Sequence, residues 1–318
     1  MSGLKLHFLN VGDGDCTIID FPARIVRSSQ ERHGERVMMV DIHHHEDHDD
    51  YEHVLDYYKR NFKDSEGNIR PIFRYVSTHP HKDHIKGLDA LFNEVSVWNF
   101  WDIEHRFQPD KNGQDWEDYK DDWGRYELVR ASTNGSPTVL KYTDKNNQMK
   151  FWDEDQIEIL SPSDELHQFV HVKEDGSRRT AEEIGQALNN LSYVLLIKFN
   201  GLKILLTGDV ETKGWEYILK NHKDKIKNID ILKAPHHGRE SAFHEEAVKW
   251  MNPKHIIFSA STECEHIVPE KYKKAAPNAK TYTTGELGTL VFDCGFDGTI
   301  ITPGTIKRYE NRFLSNYR

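Results

Sequence analysis

Thr78-His79-Pro80-His81-Lys82-Asp83-His84 follows directly on the apolar run Ile72-Phe73-Arg74-Tyr75-Val76. A segment of this kind reads as a strand that ends and delivers its polar side chains on the next turn. Three imidazoles and one carboxylate within six consecutive positions add nothing to a hydrophobic core. They make sense if they converge on divalent metal, because neutral imidazole and carboxylate are ligands that zinc, manganese and iron favour. His79 and His81 alternate to one side of an extended chain, while Asp83 and His84 lie beyond the bend. One pair can hold one ion and the second pair a neighbouring ion. The competing reading, a solvated polar loop, does not account for so dense a set of ligand types.

Three further segments end in the same way. Val37-Met38-Met39-Val40-Asp41 is a buried-strand pattern ending in an acid. Gly201 to Leu206 leads into Thr207-Gly208-Asp209-Val210-Glu211, and Ile231-Leu232-Lys233-Ala234-Pro235-His236-His237-Gly238 closes on a histidine pair. In this order the segments resemble the metallo-β-lactamase fold hydrolases, whose signature is HxHxDH on the loop after a strand. Leu9-Asn10-Val11-Gly12-Asp13-Gly14-Asp15-Cys16, with the LKAPHHG and TGDVE segments, is similar to the hydrolase domain of ComEC-type competence proteins and their soluble relatives. The resemblance spans nearly all of the chain and is weakest from about 99 to 189.

The resemblance implies an α/β fold: a four-layer αββα sandwich of two mixed sheets flanked by helices, with metals held at one edge. It is expected to be a single domain over 1–318, elaborated by an insertion at about 103–190 that borders the site and selects substrate. The alternative for that stretch is a surface elaboration with its own small core.

The resemblance also implies two divalent ions, zinc first and manganese as the alternative. His79 and His81 are assigned to the first ion, Asp83 and His84 to the second, and Asp209 to both, since ions about 3.5–4 Å apart need a bridging carboxylate. One of His236 and His237 closes the second site, and sequence leaves open which. Its neighbour is then free to contact substrate or protonate a leaving group. Asp83 and this histidine pair, with His266, are the candidate catalytic groups. His266 is similar in placement to a histidine of the competence branch, and the competing reading is an ordinary loop histidine. Asp41 is expected behind the ligands, holding a His N–H or the metal loop. A water whose pKa such ions lower to roughly 7 needs no Ser or Cys nucleophile, and nothing near Cys16 in sequence would activate it.

The pattern departs from the family twice. Asp41 is followed not by glycines but by Ile42-His43-His44-His45-Glu46-Asp47-His48-Asp49-Asp50, read as a solvated loop joined to a helix N-terminus, with another metal site as the alternative. No third histidine for the first ion precedes Asp209. Leu188-Asn189-Asn190-Leu191-Ser192-Tyr193 stands there instead, so Asn190 or water is expected to complete that shell.

Composition bounds the function. A chain of 318 residues with 37% hydrophobic and 30% charged residues is globular. No apolar run approaches bilayer length, and the N-terminus lacks a signal-peptide pattern. Three scattered cysteines suit a reducing compartment, so a cytoplasmic protein that does not engage a membrane is expected. A net charge of −10 argues against tight, autonomous gripping of nucleic acid. The basic stretches Lys220 to Lys233 and Lys271 to Lys274 are expected to be solvated helix faces.

The expected activity is therefore phosphodiester hydrolysis. Nucleic acid is the substrate class the resemblance implies, with a partner protein that supplies it. One alternative is hydrolysis of a small ester, lactone, thioester or phosphoester. Another is a metal-stabilised interaction subunit with little turnover.

Along the chain, helices are expected over Asp50 to Phe62, from Lys86, around Trp116, Trp123 and Tyr126, from Thr180, and over Thr212–Asn221 and Ser241–Met251. Strands are expected around Ile157–Leu160 and His255–Ser259. The stretch Lys280 to Ile301 reads as short strands of the second sheet.

Overall fold

The computed structural model describes residues 3–25, 32–45, 49–147 and 155–302. Two mixed sheets stack face to face. The first has eight strands, in spatial order Ile300–Ile301, Leu290–Cys294, Leu4–Phe8, Thr17–Phe21, Arg36–Val40, Ile72–Val76, Val97–Trp101 and Thr138–Leu140. The second has six: Lys280–Thr283, His255–Phe258, Ile231–Lys233, Leu202–Leu206, Val194–Phe199 and Ile157–Ser161.

Strand sequences such as Arg36-Val37-Met38-Met39-Val40 are buried on both faces, and this explains their near-continuous apolar character. Met38 and Val40 face the opposite sheet, packing with Leu195, Ile197, Ile204 and Leu206 in the central core. Met39, one residue over, points outward onto Val54 and Tyr58 of the helix Val54–Asn61. Helices Leu88–Glu94 and Trp116–Arg130 cover the same outer face. Thr212–Asn221, Glu245–Met251 and Pro269–Ala275 cover the far side of the second sheet through Trp215, Ile218, Val248, Met251 and Tyr272. The result is the αββα sandwich expected from the resemblance.

Two expectations about the elements need correction. Leu290–Cys294 does not join the second sheet. It crosses to the first and pairs antiparallel with Leu4–Phe8, Phe8 opposite Leu290, so only Lys280–Thr283 extends the second sheet. The stretch 103–190 also contributes to the frame itself, supplying the edge strands Thr138–Leu140 and Ile157–Ser161 of the two sheets. Thr180 begins the helix Ala181–Ala187 with a capping box to Glu183.

Parallel neighbours bring the ligand-bearing strand ends together. Arg36–Val40 and Ile72–Val76 run parallel with Val40 opposite Val76. Leu202–Leu206 and Ile231–Lys233 run parallel in the other sheet. The loops that follow these four strands therefore emerge at one edge of the sandwich.

Candidate metal centre

Asp83, His84, Asp209 and His237 each offer a ligand atom, and the four atoms lie within 4.8 Å of one another. His84 Nε2 is 3.2 Å from Asp209 Oδ2, and His237 Nε2 is 3.2 Å from Asp83 Oδ2. His237 Nε2 and His236 Nε2 approach the same Asp209 oxygen at 3.8 and 3.7 Å. His79 and His81 lie beside the group, with His79 Nε2 3.1 Å from His81 Nδ1. The rings of His79 and His84 are 4.1 Å apart.

Each of these side chains is aimed by a partner behind it. Nδ1 of His84 donates to Asp41 Oδ2 at 2.8 Å, and Asp41 also accepts from the Thr78 backbone N–H and hydroxyl, both at 2.7 Å. Asp41 adopts this position at φ +58°, in the left-handed region that Asp tolerates better than most residues. Nδ1 of His237 donates to the Ser259 carbonyl at 3.0 Å, which leaves Nε2 to face the Asp83 and Asp209 carboxylates. His236 turns away to Glu211, with Nδ1 3.2 Å from Oε1. His79 Nδ1 lies 3.2 Å from the Thr78 hydroxyl and 3.3 Å from that of Ser192.

Both members of the 236–237 pair have positive φ, 48° and 57°. Strain of this kind costs on the order of 1–3 kcal/mol per residue and persists where the surroundings hold it. Here it sends two adjacent imidazoles in different directions, His237 to the Asp83 side and His236 across Asp209.

Buried charge makes the site cation-seeking. Burial opposes protonation of His84, yet Asp209, Asp41 and Asp83 outweigh it and hold its pKa well above the usual imidazole range. Burial likewise opposes protonation of His237, but Asp209 and Asp15 push its pKa up to about 10. Burial alone would raise Asp209, but His84 and His237 keep it well below the carboxylate range. His79 is lowered by burial, with His84 and His81 adding to the effect. Asp209 Oδ1 and His84 Nε2 are buried without a hydrogen-bond partner, which is costly for a polar atom unless a cation takes the place. The donor set and these two orphaned atoms fit a divalent ion of the zinc or manganese type.

Other candidate residues sit elsewhere. The Asn190 amide is taken up by the fold, its Oδ1 accepting from Gly214 N at 3.1 Å and its Nδ2 donating to the Ala187 carbonyl at 3.4 Å. Both polar atoms of this amide thus meet backbone partners. Its neighbour Asn189 reaches the cluster instead, with Nδ2 3.4 Å from His236 Nδ1. His266 is exposed, and among the described contacts only its backbone carbonyl is engaged, by Glu240 N at 3.3 Å. The Cys16 thiol is buried and burial pushes its pKa well up, so it is no nucleophile.

The run after Asp41 is not simply solvated. His43 and His44 are buried, His43 lying over Gly14, where a Cβ would come within 2.0 Å of its Nδ1. Asp49 and Asp50 are exposed, and Glu46, Asp47 and His48 lie outside the described residues.

Asp15 and Lys233 belong to the site although no role was assigned to them from sequence. They form a buried ion pair, and Asp15 Oδ1 lies 3.5 Å from His237 Nδ1. Asp13 Oδ1 accepts from Ser261 N at 2.9 Å, and the Gly14 carbonyl accepts from the Ser259 hydroxyl at 3.0 Å, tying the first loop to the carbonyl that holds His237. Elsewhere in that stretch Lys220, Lys223 and Lys225 pair with Glu165, Glu246 and Glu158; Lys220 is on the helix Thr212–Asn221, but Lys223 and Lys225 lie in the turn beyond it rather than on a solvated helix face. The 103–190 stretch reaches the cluster through Phe107, whose ring centroid is 5.3 Å from that of His81.

No family model matches the chain. A stretch of 72 residues, 23% of this chain, is 39% identical to ComE operon protein 3 of Bacillus subtilis (strain 168) and covers 9% of that protein, so the likeness is to a small part of a much longer chain. Among solved structures, Igni18, a metallo hydrolase from the archaeon Ignicoccus hospitalis KIN4/I, aligns over 91% of this chain and 99% of its own. Its TM-score is 0.49 at 14% identity. Yeast PDE1 aligns over 89% and 98% respectively, with TM-score 0.46 at 13% identity. Among the described residues no helix is long and apolar enough to cross a membrane.

Proposed function

We propose that this chain is a binuclear metal-dependent hydrolase acting on phosphodiesters, with nucleic acid as the substrate class. The observation that carries the reading is the group Asp83, His84, Asp209 and His237, drawn from three loops and buried except at Asp83, with orphaned donor atoms at its centre. In this reading Asp83, His84 and His237 hold one ion. His79 and His81 hold the other, with His236 facing them across Asp209 in the place of the missing third histidine. Bound divalent ions would lower the pKa of water and offset phosphate charge.

The chain's own groups do the rest. Asp41 fixes the tautomer of His84 and Ser259 that of His237, so both present Nε2 to the centre. Asp209 stands between the two histidine sets as the shared carboxylate. Glu211 takes up Nδ1 of His236 at the rim, where the imidazole is 15% exposed, and so turns its Nε2 toward Asp209. Two cations at this edge would favour an anionic substrate despite the net charge of −10. The remaining acidity favours delivery of a nucleic acid by a partner protein over autonomous gripping.

The test is metal content together with turnover. Protein loaded with zinc or manganese is assayed on bis(p-nitrophenyl) phosphate, on single- and double-stranded DNA, and on a lactone and a thioester, with Asp209→Ala and His81→Ala as controls. Cleavage of DNA and the diester, lost in both variants, supports the reading. Cleavage confined to the lactone or thioester, or full metal occupancy without turnover, overturns it.

A further inference from the structure

Lys82 and Lys86 bracket Asp83 and His84 on the metal loop, and one carboxylate bridges them. Asp118 lies 2.6 Å from Lys82 Nζ through Oδ2, and 2.9 and 3.0 Å from Lys86 Nζ through its two oxygens. Asp115 adds a contact to Lys82 at 3.2 Å. Both lysines border a cavity of about 340 Å³ that also touches Asp83, His43 and Asp13. Of the four clustered residues, Asp83 is 30% exposed, whereas the side chains of His84, Asp209 and His237 are 0–1% exposed. The cavity is therefore an approach to the cluster, entered past two ammonium groups whose charge Asp118 and Asp115 cancel.

We propose that Lys82 and Lys86 are substrate-phosphate contacts at this approach, and that Asp118 occupies their phosphate position until a phosphodiester anion displaces it. The proposal rests on the phosphodiesterase reading and adds to it the residues that receive the substrate. A carboxylate bridging two ammonium groups presents anionic oxygens to the same donors that a phosphodiester would. The exchange is feasible because the bridging carboxylate of Asp118 is about half exposed, at 48%, with Lys82 at 27% and Lys86 at 19%, and ion pairs open to solvent hold weakly against water and salt. While it bridges the lysines Asp118 is held ionised, its contacts with Lys82 and Lys86 keeping its pKa down to about 2 against the effect of burial.

The backbone is also divided where the exchange needs it. Tyr119, at φ −147° and ψ 15°, interrupts the helix Trp116–Arg130 directly after Asp118. The part beyond it is anchored by buried Trp123, Tyr126 and Val129. The turn that carries Asp115 and Asp118 touches the core only through the half-buried Trp116, and Tyr119 separates it from the fully buried part of the helix.

The test measures binding without turnover, using the full chain, EDTA and a short fluorescein-labelled oligothymidylate at several salt concentrations. Asp118→Asn removes the carboxylate that bridges both lysines, leaving only Asp115 on Lys82, and is expected to tighten binding about threefold to tenfold. It should also steepen the salt dependence by about one phosphate contact. Asp121→Asn is the control: Asp121 is exposed on the same helix, is not among the described partners of either lysine, and changes the net charge equally. Lys82→Met with Lys86→Met in the Asp118→Asn background should remove the gain.

Equal effects of Asp118→Asn and Asp121→Asn, or weaker binding in Asp118→Asn, overturn the proposal. So does a gain that survives loss of both lysines. Hydrolysis of bis(p-nitrophenyl) phosphate by the metal-loaded parent protein is scored separately. Failure there removes the phosphodiesterase reading, whereas absence of the Asp118 effect in an active enzyme removes only this subsite.

Discussion

Asp41 and His84, 43 positions apart in sequence, meet at 2.8 Å with Nδ1 as the donor, so the imidazole is committed to offering Nε2 to the centre. An outer carboxylate of this kind raises ligand basicity and fixes ring orientation. Asp41→Asn should lower metal affinity roughly 10–100-fold while leaving the fold intact. Competitive titration with a chromogenic chelator measures the first effect and far-UV circular dichroism the second. Unchanged metal affinity would refute the role given to Asp41.

His236 and His237 should separate cleanly. His237 is fully buried against Asp83 and Asp209, so His237→Ala should cost more metal affinity than the roughly 10–100-fold typical of an outer partner. His236 is partly exposed and held by Glu211, so His236→Ala should keep the ion at Asp83 and His84 and weaken the other. Metal stoichiometry by plasma mass spectrometry distinguishes the two. Equal loss in both variants would mean that the pair acts as one unit.

What could be read from sequence follows from how local each signal is. His79, His81, Asp83 and His84 crowd into one loop, and Asp209 stands at the end of an apolar strand, so both were legible without a structure. Lys233 was not, because a lysine at a strand end beside a basic stretch reads as solvated. Its partner Asp15 lies 218 positions away. The choice between His236 and His237 depends on two left-handed backbone conformations that residue type does not announce. The Asn190 amide is engaged by Gly214 and Ala187, a backbone requirement invisible before the helix is placed. Leu290–Cys294 misled for a different reason: alternation identifies a strand but not the sheet it joins.

The Asp15–Lys233 pair is buried, so removing one partner strands the other. Lys233→Met should cost about 3–5 kcal/mol by leaving the buried Asp15 carboxylate with His237 but no ammonium group to offset it. The double variant Asp15→Asn with Lys233→Met should recover much of that loss. In the parent protein burial alone would raise Asp15, but Lys233 and His237 hold its pKa down to about 2 against a reference of 3.8. The pair's contribution is thus present above pH about 4 and lost as pH falls toward 2. Urea unfolding of the single and double variants checks the ordering, and a double variant no more stable than Lys233→Met would contradict it.

Two buried groups away from the cluster should tilt stability in opposite directions with pH. Burial, helped by Lys5, lowers the His7 pKa from 6.5 to about 4, where the ring meets the Tyr57 hydroxyl at 2.7 Å. Between those values the unfolded chain binds a proton that the folded protein refuses, so this group makes stability rise with pH by about 3 kcal/mol. Asp102 does the reverse. Burial raises it from 3.8 to about 6 despite Arg130 and Tyr126, so the folded protein keeps a proton that the unfolded chain has released. Stability from Asp102 therefore falls across that window by an amount on the order of 3 kcal/mol. The two slopes largely offset in the parent protein. His7→Gln should expose the falling slope and Asp102→Asn the rising one, read as urea midpoints at pH values between about 4 and 6.5. Identical pH profiles for the two variants would show that neither group carries the linkage assigned to it.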